Sequence, residues 1–195
     1  MLGIDVILGP FLTLLVYKPE KPSLKMDLTI IVCVQVIALV YGMWSILHAR
    51  PAWIVFNANG FDLIQAHELD PRMEGKTEDE YKKVSWFGPK YVAAKLPVTS
   101  VNSMQSTLEA LASGYDIANQ PWQYEELKAQ KKKIMEKLKS TSELNQYNDE
   151  ADLKKVLPES EKIQCWLPLM AKIKPMVVLM DCDKGSVIQV VNLRP

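Results

Sequence analysis

The chain has 195 residues, 48% of them apolar and 24% charged, and its 23 basic and 23 acidic residues leave no net charge. That balance disfavours a nucleic-acid binder, which needs excess positive charge to meet phosphate, and the apolar content rules out disorder over most of the length. Three Cys and two His leave little room for a Cys/His metal site.

The charge is unevenly spread. Residues 1–50 carry only four basic residues (Lys18, Lys21, Lys25, Arg50) and three acids (Asp5, Glu20, Asp27). The chain thus divides into an apolar segment, residues 1–50, and a water-soluble domain, residues 51–195. Leu2 to Tyr17 is an apolar run of about 16 residues, or about 24 Å as a helix, short for a membrane span and interrupted by Asp5 and Pro10. A signal peptide would begin with a basic stretch and end at a small-residue cleavage site, and neither is present. A second run follows after ten polar residues. Of the 20 residues from Leu28 to Leu47, 16 are apolar and none is charged, enough for a helix of about 30 Å, the thickness of the hydrocarbon core. Buried helices of soluble domains rarely run so long without charge. Tyr41 and Trp44 lie toward one end, where amphipathic rings suit the interface. The expectation is a transmembrane helical hairpin with helices at about 2–17 and 28–47.

The connection from Lys18 to Asp27 holds two prolines and three lysines. Pro19 and Pro22 end the first helix and stiffen the turn. Lys18, Lys21 and Lys25 outweigh the single Arg50 beyond the second run, so the positive-inside rule puts this loop in the cytoplasm. Residues 51–195 then lie on the opposite side, in a bacterium the periplasm. Gln35, Ala38, Gly42 and Ser45 share one helix face of small and polar residues, the kind that lets helices approach closely in lipid. Asp5, Gly9 and Thr13 form a matching face on the first helix. Asp5 reads two ways: as a contact for another membrane helix, protonated or paired because a carboxylate is costly in lipid, or as a hydrated residue at the outer interface near the Met1 amine.

In the soluble domain, two short apolar runs, Trp53 to Ala58 and Phe61 to Ala66, flank Asn59-Gly60, a strong hairpin signal. Lys90 to Val98 reads as a strand closed by Pro97. From Ser100 to Ala112 the spacing predicts a helix with Val101, Met104, Leu108 and Leu111 on one face, ended by Gly114. Gln120-Pro121 opens a predicted long helix with Trp122, Leu127, Ile134 and Leu138 as a thin apolar stripe. Lys131-Lys132-Lys133 reads as its solvated face, and Glu78, Asp79 and Glu80 as a solvated loop. A short helix is expected over Asp152 to Leu157. Strands are expected at Cys165 to Leu169, Pro175 to Met180 and Ser186 to Val191, with Asp181 to Gly185 as a turn. Strands, then helices, then strands argue for an α+β domain with a mostly antiparallel sheet and two to three helices.

Cys165 and Cys182 are the cysteines outside the membrane run. In an oxidising compartment they are candidates for a disulfide, since adjacent antiparallel strands would bring them together. Two reduced thiols are the alternative if the orientation is reversed. Cys33 falls in mid-membrane and reads as packing.

A set of residues, found in order along both regions, carries a family resemblance. In the membrane region these are Gly9-Pro10, Tyr17-Lys18-Pro19-x-Lys21-Pro22-x-Leu24-Lys25-x-Asp27-Leu28, Gln35, Tyr41-Gly42 and Ala49-Arg50-Pro51. In the soluble region they are Phe56, Phe61, Gly88-Pro89 with Val92-Ala93, and Asp116 followed by Gln120-Pro121, with a weaker match at Val177 to Val187. Together these residues resemble the TfpX/TfpZ family of type IV pilin accessory proteins, and the Lys-Pro-x-Lys-Pro loop is the most specific piece. The resemblance implies an inner-membrane accessory factor for pilin stability or pilus assembly, without catalytic residues. The family carries another membrane helix upstream, and the chain opens abruptly inside apolar sequence.

Catalytic and nucleotide-binding motifs are absent: no G-x-G-x-x-G, Walker A, H-E-x-x-H or G-x-S-x-G occurs. His48 and His67 are isolated, and Asp181 and Asp183 fit turn chemistry. The leading expectation is a non-enzymatic, chaperone-like assembly factor with no cofactor, no metal and no small-molecule substrate. Its partners would be the bilayer and the major type IV pilin. Asp5, Gly9, Gln35 and Gly42 would contact the pilin's membrane helix, and an exposed strand edge or the Trp53 to Ala66 hairpin its globular domain. The alternatives are a membrane-anchored periplasmic ligand sensor, which would need a separate output partner, and a thiol oxidoreductase, which would want a C-x-x-C pair.

Overall fold

The computed structural model describes residues 11, 14, 24–73, 75–95, 104, 108, 110–156 and 165–195. It divides into two compact units, Met1–Ala49 and Arg50–Pro195. In the first, helix α1 spans Leu24–Ala49. Its 26 residues extend about 39 Å, and it is long and apolar enough to cross a membrane. It begins four residues before the apolar run, with Asp27 in the first turn, where a carboxylate favours the positive end of the helix dipole. It ends one residue before Arg50, because the residue preceding Pro51 is pushed out of the helical region. Residues 11 and 14 are also helical. The rest of the expected first helix, with Asp5, Gly9, Pro10 and Thr13, and the loop residues Lys18, Pro19, Lys21 and Pro22 lie outside the described residues.

The second unit is a curled mixed sheet with short helices. Strands β1 (Pro51–Asn57) and β2 (Gly60–Gln65) form an antiparallel hairpin. Strand β3 (Lys90–Ala94) runs parallel to β1, and β4 (Tyr124–Glu126) antiparallel to β3. Strand β5 (Lys139–Ser140) pairs with β6 (Cys165–Met170), which continues through β7 (Met176–Met180) to β8 (Val187–Val191), all antiparallel. A two-residue parallel joint, Phe61↔Leu169 and Asp62↔Met170, links β2 to β6. The order is β4-β3-β1-β2-β6-β7-β8, with β5 also on β6. The sheet is therefore mostly antiparallel with two parallel joints, and the α+β class holds. Helices α2 (Asp79–Lys82), α3 (Lys131–Lys137) and α4 (Glu150–Val156) accompany it.

Strand β1 is buried on both faces, which is why Ala52-Trp53-Ile54-Val55-Phe56 is a continuous apolar run. Trp53 and Val55 enter one core with Tyr81, Val92 and Tyr124. Ile54 and Phe56 face the opposite way, into a core with Phe61, Leu167, Leu169, Val178 and Ile134 of α3. A third core, around Trp166, Leu144, Leu153 and Leu179, closes the far end.

Several expectations are corrected. The hairpin loop is Ala58-Asn59, since Asn57 pairs with Gly60. Ala58 takes φ +43° and the Asn59 N–H bonds the Asn57 carbonyl at 2.5 Å. Gly60 serves instead at the β2–β6 joint, where a Cβ would stand 2.7 Å from the Pro168 carbonyl oxygen. The long helix from Pro121 does not form. Tyr124 is drawn into β4, its ring 5.6 Å from Trp53 and 6.1 Å from Tyr81, and its hydroxyl donates to the Ala118 carbonyl at 2.5 Å. Only Lys131–Lys137 is α-helical, yet Leu127, Ile134 and Leu138 still pack into one core. Asp79 and Glu80 open α2 rather than a loop. Residues 104, 108 and 110–113 are helical and Gly114 follows at φ +74°, as a helix stop requires. On the apolar face of that helix Met104, Leu108 and Leu111 are exposed, and Val101 lies outside the described residues.

Candidate functional site

On α1, Gln35 and Gly42 stand two turns apart on one face. Among the described residues a Cβ added to Gly42 would meet nothing within 4 Å. The rings of Tyr41, Trp44 and His48 line the end of the helix nearest Arg50, with centroids 6.1 Å and 4.2 Å apart in succession. Lys25 sits in the first turn, exposed. The proposed companions Asp5 and Gly9 lie outside the described residues.

In the sheet unit, residues scattered through the sequence converge at the end of the β1–β2 hairpin. Phe56 and Phe61 face each other across it with ring centroids 5.6 Å apart, and Ala93 pairs with Phe56 from β3. Just beyond, the Asn57 side-chain amide donates to Asp62 at 3.2 Å and to Asp116 at 3.3 Å. Burial pushes the Asp62 carboxyl above the ordinary aspartate range; the Asn57 hydrogen bond opposes this and the Asp116 charge adds to it. Asp116 also caps the turn Ile117–Asn119 through the Ile117 N–H at 2.7 Å. Gln120 is buried, and its amide donates to the Tyr115 carbonyl at 3.3 Å. This Asn57–Asp62–Asp116 cluster was missed by sequence reasoning. Asp116 and Gln120-Pro121 were visible as a pattern, but nothing in the spacing tied Asp116 to Asn57, 59 positions away.

A second polar centre holds the neighbouring loop. Asp70 is fully buried, and the half-exposed Arg72 binds its carboxylate through Nε at 2.9 Å and 3.0 Å. That hydrogen bonding holds the Asp70 carboxyl below its usual range. The Asp70 N–H donates to the Asn119 carbonyl at 2.9 Å, and the Asn119 amide donates to the Glu68 carbonyl at 3.1 Å. Between these loops lies a cleft of about 300 Å³ lined by Arg72, Lys76, Ala112, Ser113, Gln120 and Trp122, with the Lys76 ammonium 5.4 Å from the Trp122 ring. Its walls are cationic and aromatic. Among the described residues no three His, Cys, Asp or Glu gather to hold a metal.

Cys165 and Cys182 are joined by a disulfide, with Cα atoms 5.4 Å apart. The β6–β7 register sets this up: Cys165 pairs with Met180, two residues before Cys182. The intervening Asp181 accepts the N–H groups of Asp183 and Lys184, both at 2.9 Å, and fixes the turn.

The chain is similar to proteins named fimbrial assembly proteins from Dichelobacter nodosus. It is 28% identical to the serogroup I protein over 121 residues, covering 61% of this chain and 47% of that one. It is 27% identical to the serogroup E1 protein over the same length and coverage. Against the protein of serogroups C1 and C2 it is 33% identical over 69 residues, 34% of this chain and 53% of that one. The chain thus spans about half the length of the curated relatives it matches. No family model and no solved structure matches it.

Proposed function

We infer that this chain is an inner-membrane accessory factor of the TfpX/TfpZ kind, acting without catalysis on type IV pilin stability and pilus assembly. The observation that carries the reading is the similarity over 121 residues to fimbrial assembly proteins. An apolar helix of membrane-spanning length leading into a disulfide-bearing α+β unit supports it. In this reading Lys18, Pro19, Lys21, Pro22 and Lys25 mark the cytoplasmic loop, and Arg50–Pro195 lies in the oxidising periplasm. The pilin's apolar helix packs against the Asp5, Gly9, Gln35 and Gly42 face within the bilayer. The pilin's globular domain meets a strand edge. The β1–β2 hairpin is flanked on both sides, and of the two strands that end the order among the described residues, β4 with three residues and β8 with five, β8 offers the longer edge and supplies it.

Co-purification from detergent extracts tests this. The chain is expected to bring down the major pilin, and Gly42→Leu combined with Gln35→Leu is expected to reduce that recovery severely by filling the close-approach face. Undiminished recovery with the double variant would remove the helix face. No association with any pilin would remove the function.

A further inference from the structure

The loop between α2 and β3 exposes two large aromatic rings. Phe87 is fully exposed and Trp86 is 71% exposed, the kind of apolar surface that a soluble domain covers. The loop is held rather than loose: the Phe87 N–H donates to the Ser85 hydroxyl at 3.2 Å, and Gly88 turns the chain at φ +99°. Trp86 lies against Arg50, whose guanidinium carbon is 4.3 Å from the ring centroid. The Arg50 Nε finds no acceptor among the described residues.

Arg50 fixes where these rings can be. It follows Ala49, the last residue of α1, directly in the chain. The uncharged run from Leu28 to Leu47 already fills a hydrocarbon core of about 30 Å. Arg50 is three residues further on, about 4.5 Å of helical rise. The headgroup layer on each side is about 5–8 Å thick, so Arg50 falls within it, and the ring stacked on its side chain lies at the same depth or close to it.

We propose that the Trp86-Phe87 loop is a second membrane contact, seated in the lipid interface beside the exit of α1 with Trp86 packed on Arg50. The occupant of this aromatic surface is lipid, because the covalent tether to the span delivers the loop there. Indole and phenyl rings suit this layer, as do Tyr41 and Trp44 at the same end of the helix. The proposal depends on the membrane span assumed in the function above.

Quenching of tryptophan emission by brominated lipid tests it on the whole chain reconstituted in vesicles. Three proteins are compared: the unaltered chain, Trp44→Phe, and Trp44→Phe with Trp86→Phe. Both positions are exposed, so neither exchange threatens the fold. The Trp44→Phe chain is expected to retain bromine-quenched emission, and adding Trp86→Phe to bring it to the level seen in unbrominated vesicles. If Trp44→Phe alone removes all the quenching, the span stands and the loop contact is overturned. If none of the three is quenched, span and loop contact both fall.

Discussion

Exchanging both Cys165 and Cys182 for serine is expected to cost the Arg50–Pro195 unit about 3 kcal/mol, the chain-entropy worth of a loop this long. Cys165 begins β6, the strand that pairs with both β5 and β7. Trp166, next along, is buried and donates its indole N–H to the Ser140 carbonyl at 2.9 Å. Opening the bridge removes the covalent link between β6 and the turn Asp181 to Gly185, which the Asp181 side chain and backbone bonds also hold. Urea unfolding in detergent, followed by tryptophan emission, gives the number. A reducing agent should shift the unaltered chain to the midpoint of the serine variant. Coincident curves for all three would show that the bridge contributes nothing. Two reactive sheet-unit thiols in protein taken from cells would show that it does not form there.

Gly60→Val is expected to cost about 1–3 kcal/mol, toward the upper end of the range for overpacking. A Cβ at Gly60 would meet the Pro168 carbonyl oxygen at 2.7 Å and Pro168 Cγ at 2.8 Å. The carbonyl is backbone and cannot turn aside, so β2 and β6 must separate. Their joint has two paired positions, and across it the β4-β3-β1-β2 half meets the β6-β7-β8 half. The loss should appear as a lower thermal midpoint with weakened protection of Phe61 and Asp62 amides from exchange. An unchanged midpoint would mean that the halves are held by the shared core of Phe56, Phe61, Leu167 and Val178 rather than by this joint.

The elements legible in the sequence are those whose signal is local. The uncharged run from Leu28 to Leu47 falls within α1, a helix long and apolar enough to cross a membrane. Strands β1, β2, β6, β7 and β8 are short apolar runs bounded by Gly, Pro, Asn and Asp, and they form within a residue or two of where that punctuation places them. The errors arise where distant contacts override local pattern. Gln120-Pro121 and the charged stretch after it look like a helix start, but Tyr124 gains more by burying its ring against Trp53 and Tyr81 than three residues gain from a helical turn. Asn59-Gly60 looks like a hairpin loop, but the glycine is required where β2 passes Pro168. The Asn57–Asp62–Asp116 cluster and the Arg50–Trp86 stack had no local signature, because each joins residues brought together only by the sheet.

Arg50 links the two units covalently, and its surroundings connect the physical reading to the proposed role. A span that leads directly into a disulfide-bonded sheet makes sense if the sheet works outside the cytoplasm on a partner that is itself membrane-anchored. Paired reporter fusions after Pro195 ask this directly. Alkaline phosphatase fused there is expected to be active and a cytoplasm-dependent fluorescent protein dark. A dark phosphatase with a bright fluorescent protein would contradict the account, because the sheet and its bridge would then face the reducing side of the membrane.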